Sequence, residues 1–108
     1  METNHDLAVD RLAALAQSHR LAVFRLLVVA GPDGRAAGDI AADLGLPPSS
    51  LSFHLAHLKR VGLVRAERRG RSLCYAADFT AMHGLVDFLT ENCCSGGACA
   101  PAETRSAA

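Results

Sequence analysis

The hydrophobic period changes at Gly62, so residues on its two sides cannot belong to one regular element. Upstream, Leu51, Leu55 and Leu58 recur at helical steps in a run that Pro47-Pro48 opens and Gly62 closes. Downstream, residues 63–68 and 72–76 read as two strands around a tight turn at Arg69-Gly70-Arg71. A helix that runs straight into a hairpin tipped by two arginines must pack with it as one unit. The other segments are helical. Residues 7–16 are rich in Ala and Leu, and Ser18 is expected to cap a second run in which Leu21, Phe24, Leu27 and Val28 share a face until Gly31-Pro32-Asp33-Gly34 stops it. A short helix over 37–44 ends on Gly45, so three or four residues join it to the helix from Pro47-Pro48, the spacing of a helix-turn-helix. A last helix is expected over 79–92. There Phe79, Met82, Val86 and Leu89 fall at steps of three and four, the pattern of a seam between packed helices. The expected fold is mainly α with a small β-hairpin, a winged helix-turn-helix of order α-α-α-α-β-β-α. Residues 1–92 form the domain, and 93–108 a small, polar, flexible tail that carries cysteines.

A chain of 108 residues makes one small domain with a thin core, which favours burial of further apolar surface in an oligomer. No run of eighteen apolar residues is present, so no membrane span is expected. Three acids precede the first arginine and no apolar segment with a cleavage site follows, so a cytoplasmic setting is expected. Net charge is zero, but it is partitioned. Residues 1–43 carry four bases and six acids, 44–77 carry six bases (Lys59, Arg60, Arg65, Arg68, Arg69, Arg71) against Glu67 alone, and 78–108 carry Arg105 against four acids. A basic block in a neutral protein suits an anionic partner met by one face, although a solvated charged surface has the same composition.

Projected at 100° per residue, the helix after Pro48 puts Leu51, Leu55 and Leu58 on one stripe. Ser49, Phe53, Ala56 and Arg60 lie opposite, flanked by Ser52 and His57, with His54 nearer the buried edge. Short hydroxyls near the start of such a helix reach base edges or phosphates in a major groove, and Ala56 allows close approach. An ordinary amphipathic surface helix is the alternative, and the arginine-tipped hairpin beside it weighs against that. The candidate DNA-contacting set is Ser49, Ser50, Ser52, Phe53, His54, His57 and Arg60 on the helix, with Arg69 and Arg71 on the wing. No phosphate-binding Gly-rich loop, nucleophile elbow or metalloprotease helix appears in residues 1–92, and no enzymatic activity is expected.

Three stretches, Leu15-Ala16-Gln17-Ser18-His19-Arg20-Leu21, Leu51-Ser52-Phe53-His54-Leu55-Ala56-His57-Leu58-Lys59-Arg60-Val61-Gly62-Leu63-Val64, and the wing from Arg69-Gly70-Arg71 to Tyr75, resemble the ArsR/SmtB family of winged-helix metalloregulatory repressors. The likeness covers residues 7–92. It implies a homodimer paired through the first and last helices, with Leu12, Met82, Val86 and Leu89 at the seam. Such a dimer sits on a palindromic operator and leaves it when a metal or metalloid binds.

Inducer sites differ across that family, so the ligands must be sought in this chain. An arsenic-sensing branch clusters cysteines at the start of the third helix, where this chain reads Ala36-Ala37-Gly38-Asp39. A zinc-sensing branch uses the last helix, which here offers Asp78, His83, Asp87 and Glu91 without the His-x-x-Glu spacing. Three of the four cysteines stand instead at the end of that helix, in Cys93-Cys94-Ser95-Gly96-Gly97-Ala98-Cys99. The Gly pair lets the chain turn back on itself. Three thiolates without a histidine make a poor tetrahedral zinc site and a good one for a thiophilic, pyramidal ion such as As(III) or Sb(III). The arrangement also resembles an ArsR branch with an adjacent Cys pair and a third Cys after the last helix, which assigns ligand roles to Cys93, Cys94 and Cys99. Redox control, a structural disulfide and passive surface thiols are the other readings of the cluster, as is methylated arsenic held by two thiols. Cys74, alone on the second wing strand, reads as a small buried apolar residue.

Overall fold

A computed structural model describes residues 4–95. The elements follow in the order α1 (His5–Leu15), α2 (Ser18–Ala30), β1 (Arg35–Ala36), α3 (Ala37–Leu44), α4 (Pro48–Arg60), β2 (Val64–Arg69), β3 (Ser72–Ala77) and α5 (Phe79–Thr90). This is the expected winged helix-turn-helix, with one added strand.

Local chemistry sets most boundaries. The Asn4 side chain accepts from Leu7 N at 2.9 Å, satisfying an orphan amide at the start of α1. Gln17, rather than the expected Ser18, caps α2 by accepting from Arg20 N at 2.9 Å; Ser18 is already the first helical residue. Gly45 ends α3 in the left-handed region at φ 64°, and Leu46 N donates to the Ala41 carbonyl behind it at 3.0 Å. Pro48 opens α4 where its missing N–H costs nothing. Past the end of α4, Leu63 N donates to Leu58 O at 3.0 Å and Asp78 N to Leu63 O at 2.8 Å, closing the base of the wing. Gly70 takes φ 61° at the first position of the two-residue hairpin turn, the conformation a tight II′ turn needs.

The sheet has order β1-β3-β2 and is antiparallel throughout. β2 and β3 pair from Val64↔Ala77 to Arg69↔Ser72. The unexpected β1 pairs Arg35↔Tyr75 and Ala36↔Cys74 on the other edge of β3, then passes without a break into α3. Arg35 also bridges to Asp43 on α3 at 2.8 Å. Cys74 is half-buried between these strands rather than a core residue.

The core sits where α2, α3 and α4 meet the wing base, with Val23, Leu27, Ile40, Leu51, Leu55 and Leu58 buried there. The last helix departs from the expected single seam. Leu85 is its buried residue, Phe79 and Met82 pack on the chain's own core, and Val86 and Leu89 stay exposed, as do Leu12 and Val9 on α1. Among the described residues, no single helix is long and apolar enough to cross a membrane.

Candidate nucleic-acid interface

Helix α4 buries Leu51, Leu55 and Leu58 and turns its other side outward, because the apolar spacing leaves one continuous polar face. Ser49, Ser52, Phe53, Ala56, Lys59 and Arg60 are exposed on it, while Ser50 and His57 are half-buried. Phe53 is 68% exposed, an unusual state for an aromatic ring. Beyond the helix, Arg65, Arg68, Arg69 and Arg71 stand exposed on the wing, with Arg69 reaching back to Glu67 at 3.3 Å. The sequence reading selected only Arg69 and Arg71 from this block. Lys59, Arg65 and Arg68 are equally available, and the charge count of residues 44–77 was the signal for them.

His54 is a correction to the candidate set. It is only 9% exposed, and its Nδ1 is sealed from solvent with no hydrogen-bond partner among the described residues. Its ring faces His19 at a centroid distance of 5.6 Å and meets Phe53 edge-on at 5.8 Å. It therefore lies behind the exposed face of α4 rather than on it. Burial holds the His54 imidazole below its usual 6.5, with the charges of Arg20, His19 and His57 acting in the same direction. His57 is likewise lowered, by burial first and then by Arg20 and Arg60. Arg20, which sequence reasoning passed over, is thus the cation at the back of the reading helix; its Nε donates to Ala14 O at 2.7 Å.

The second candidate site starts at Cys93, three residues after the end of α5. Cys93 N donates to Thr90 O at 2.9 Å, and Asn92 and Cys94 adopt φ of 59° and 63°, so the chain coils tightly. Cys93 and Cys94 are exposed with Sγ atoms 3.3 Å apart, and Cys94 is in a disulfide bond. Cys99, the third proposed ligand, lies outside the described residues. On α5 the Asp78 carboxylate caps Ala81 N at 3.0 Å, and His83, Asp87 and Glu91 are exposed. Among the described residues, no three His, Cys, Asp or Glu side chains come together to hold a metal ion.

Residues 15–67 match the family model of a helix-turn-helix domain. The transcriptional activator HlyU of Vibrio cholerae is 32% identical over 89 residues, covering 82% of this chain and 80% of its own. Its solved structure superposes with a TM-score of 0.67 over 87% of this chain and 99% of HlyU, and a structure of reduced HlyU gives 0.64 at 30% identity. The HTH-type transcriptional regulator YgaV of Escherichia coli is 28% identical over 89 residues, 81% of this chain and 90% of YgaV. The homodimeric winged helix-turn-helix DNA-binding domain Mb0332 of Mycobacterium bovis, described as a possible ArsR-family regulator, has a TM-score of 0.64 at 28% identity and 89% coverage of both chains. With a basic winged helix-turn-helix and this degree of likeness to HlyU, the chain belongs to the ArsR/HlyU family of winged-helix transcriptional regulators.

Proposed function

We propose that this regulator is a cytoplasmic repressor that binds a palindromic operator as a homodimer and releases it when As(III) or Sb(III) binds Cys93, Cys94 and Cys99. The observation that carries the inducer is the exposed, adjacent pair Cys93 and Cys94 just past the end of α5, with sulfurs 3.3 Å apart, beside which no histidine or carboxylate gathers to complete a tetrahedral zinc site among the described residues. Arsenous acid would exchange its three hydroxyls for three thiolates, releasing three waters, once the Cys94 disulfide is reduced. The Mycobacterium neighbour is homodimeric, and exposed Leu12, Val86 and Leu89 offer this chain an apolar seam of the same kind. Binding at the end of α5 would then act where two copies meet. The coupling required is about 1–3 kcal/mol, and DNA must weaken ion binding by the same factor.

The disulfide at Cys94 favours a second reading, a thiol-redox regulator on the same scaffold. One experiment separates the two. Fully reduced protein on a self-selected palindromic duplex is titrated with arsenite in excess zinc, then with peroxide alone, while thiols are counted. Loss of three thiols with DNA release by arsenite supports the metalloid reading. Release by peroxide without an ion replaces it with the redox reading, and arsenite binding without release ends the inducer assignment.

A further inference from the structure

We propose that Phe53 reads the 5-methyl group of a thymine in the major groove, so that each operator half-site carries one thymine whose methyl is required for full affinity. This rests on the DNA-binding reading above and deepens it to a base and an atom.

Phe53 is the most exposed aromatic side chain of the described residues, and its neighbours define what it can meet. On α4, Ser49 lies four residues before it and Ala56 three after it, so the three share one face, and Ser52 stands beside them. Those three neighbours are short, and His57, one turn further on, is half-buried. A phenyl ring among short, exposed side chains is the most protruding feature of the face, yet too isolated to make a protein-docking patch. Among the described residues, the other exposed large apolar side chains are Val9 and Leu12 on α1, Leu21 and Val29 on α2, Leu73 on β3 and Val86 and Leu89 on α5, none of them on α4. Arg60, two turns after Phe53, shares its face and brings a positive charge to it, and Lys59 and the wing arginines that follow are exposed as well. An isolated apolar tip on a small, positively flanked helix face fits a surface that is anionic overall and apolar at single points. The major groove has that character. The thymine C5-methyl is its only apolar group, and phenylalanine is among the side chains that contact it.

The ring is also held in place. The buried His54 imidazole meets it edge-on at 5.8 Å with planes 68° apart, and is itself backed by His19. An aromatic residue that serves no structural purpose at the surface has no need of a buried aromatic buttress. His54 is a positioning residue in this account: it sets the direction in which Phe53 projects.

The test uses full-length reduced protein and a palindromic duplex that it selects from a random pool. Each thymine of the half-site is replaced in turn by deoxyuridine, which removes only the methyl. Wild-type protein should lose about fourfold in affinity at one position, or about fifteenfold with both half-sites replaced, the value of one buried methyl per site. Phe53→Ala should bind the original duplex more weakly and show no further loss with deoxyuridine, whereas Phe53→Leu should retain part of the discrimination. Phe53 is exposed, so these variants keep the fold, and helical circular dichroism checks this. Equal affinity for every deoxyuridine duplex, or a methyl effect that survives in Phe53→Ala, overturns the proposal while leaving sequence-specific binding intact. Failure to select any sequence overturns the DNA-reading function itself, and the proposal with it.

Discussion

Arg11 on α1 donates from Nε to the carbonyl of Val61 at 2.8 Å, joining the first helix to the C-terminal cap of α4 across fifty positions of sequence. Helix ends leave carbonyls without partners, and a guanidinium is a strong donor for one of them. Replacing Arg11 by Met keeps the aliphatic stem and removes the donor. We expect a loss of about 1–2 kcal/mol in urea denaturation. The same link joins α1, which the proposed dimer would use at its seam, to α4, so Arg11→Met should also reduce the ratio of DNA affinities with and without inducer; an unchanged ratio would show that coupling runs elsewhere.

Gly34 is expected to be the least replaceable glycine of the turn region. It holds φ 71°, and a Cβ there would run into the Tyr75 backbone carbonyl on the neighbouring strand. Gly34→Ala should cost more than about 2 kcal/mol, combining strain with steric conflict. Gly31→Ala, with φ 85° but open space around it, should cost less. Thermal melts of the two variants give the comparison.

The wing arginines are expected to meet phosphates, which are the same for every sequence. Arg71→Ala should weaken binding to selected and random duplexes by similar factors and lower the slope of log affinity against log salt by about one. An unchanged slope would remove Arg71 from the phosphate contacts.

Two histidines give opposite pH signatures. His54 is held below 6.5 in the folded chain, so between its folded value and 6.5 the unfolded chain binds more protons. Stability is then complete above 6.5 and falls as pH drops below it. His54→Leu should flatten that slope in urea midpoints measured from about pH 8 to about pH 5. His57 is also lowered in the free protein, and nearby phosphates would raise it. DNA affinity should therefore rise with acidification until the free imidazole is itself protonated, and His57→Gln should abolish that gain.

Serine at Cys93, Cys94 or Cys99 should leave DNA affinity within about twofold and abolish release by arsenite, because Cys93 and Cys94 follow α5 and stand apart from α4 and the wing, and Cys99 is assigned to the same site. Weakened DNA binding in these variants would move the cysteines from sensing to structure.

The helical segments were legible because each satisfies its own local chemistry: Gly45, Pro48 and Gly62 mark the boundaries, and the Leu51, Leu55, Leu58 stripe orients α4 without reference to the rest of the chain. What escaped was created by distant residues. β1 is two residues long and exists only through pairing with Tyr75 and Cys74, forty and thirty-eight positions away. His54 was placed near the buried edge by its helical angle, but its exclusion from the reading face depends on His19 and Arg20 arriving from α2. The division of α5, with Met82 inward and Val86 outward, follows from where α5 crosses the core, which spacing along one helix does not reveal. The cap at Gln17 was misplaced by one residue because Ser and Gln both accept from an amide and only the turn geometry chooses between them.

The short edge strand gives the molecule a mechanical property. Because β1 is laced to β3, flows directly into α3 and is tied to it again through Arg35 and Asp43, the wing and the helix preceding the reading helix behave as one stiff lever. A change in the angle of the wing would therefore be passed through β3 and β1 to α3, and from α3 to the turn before α4.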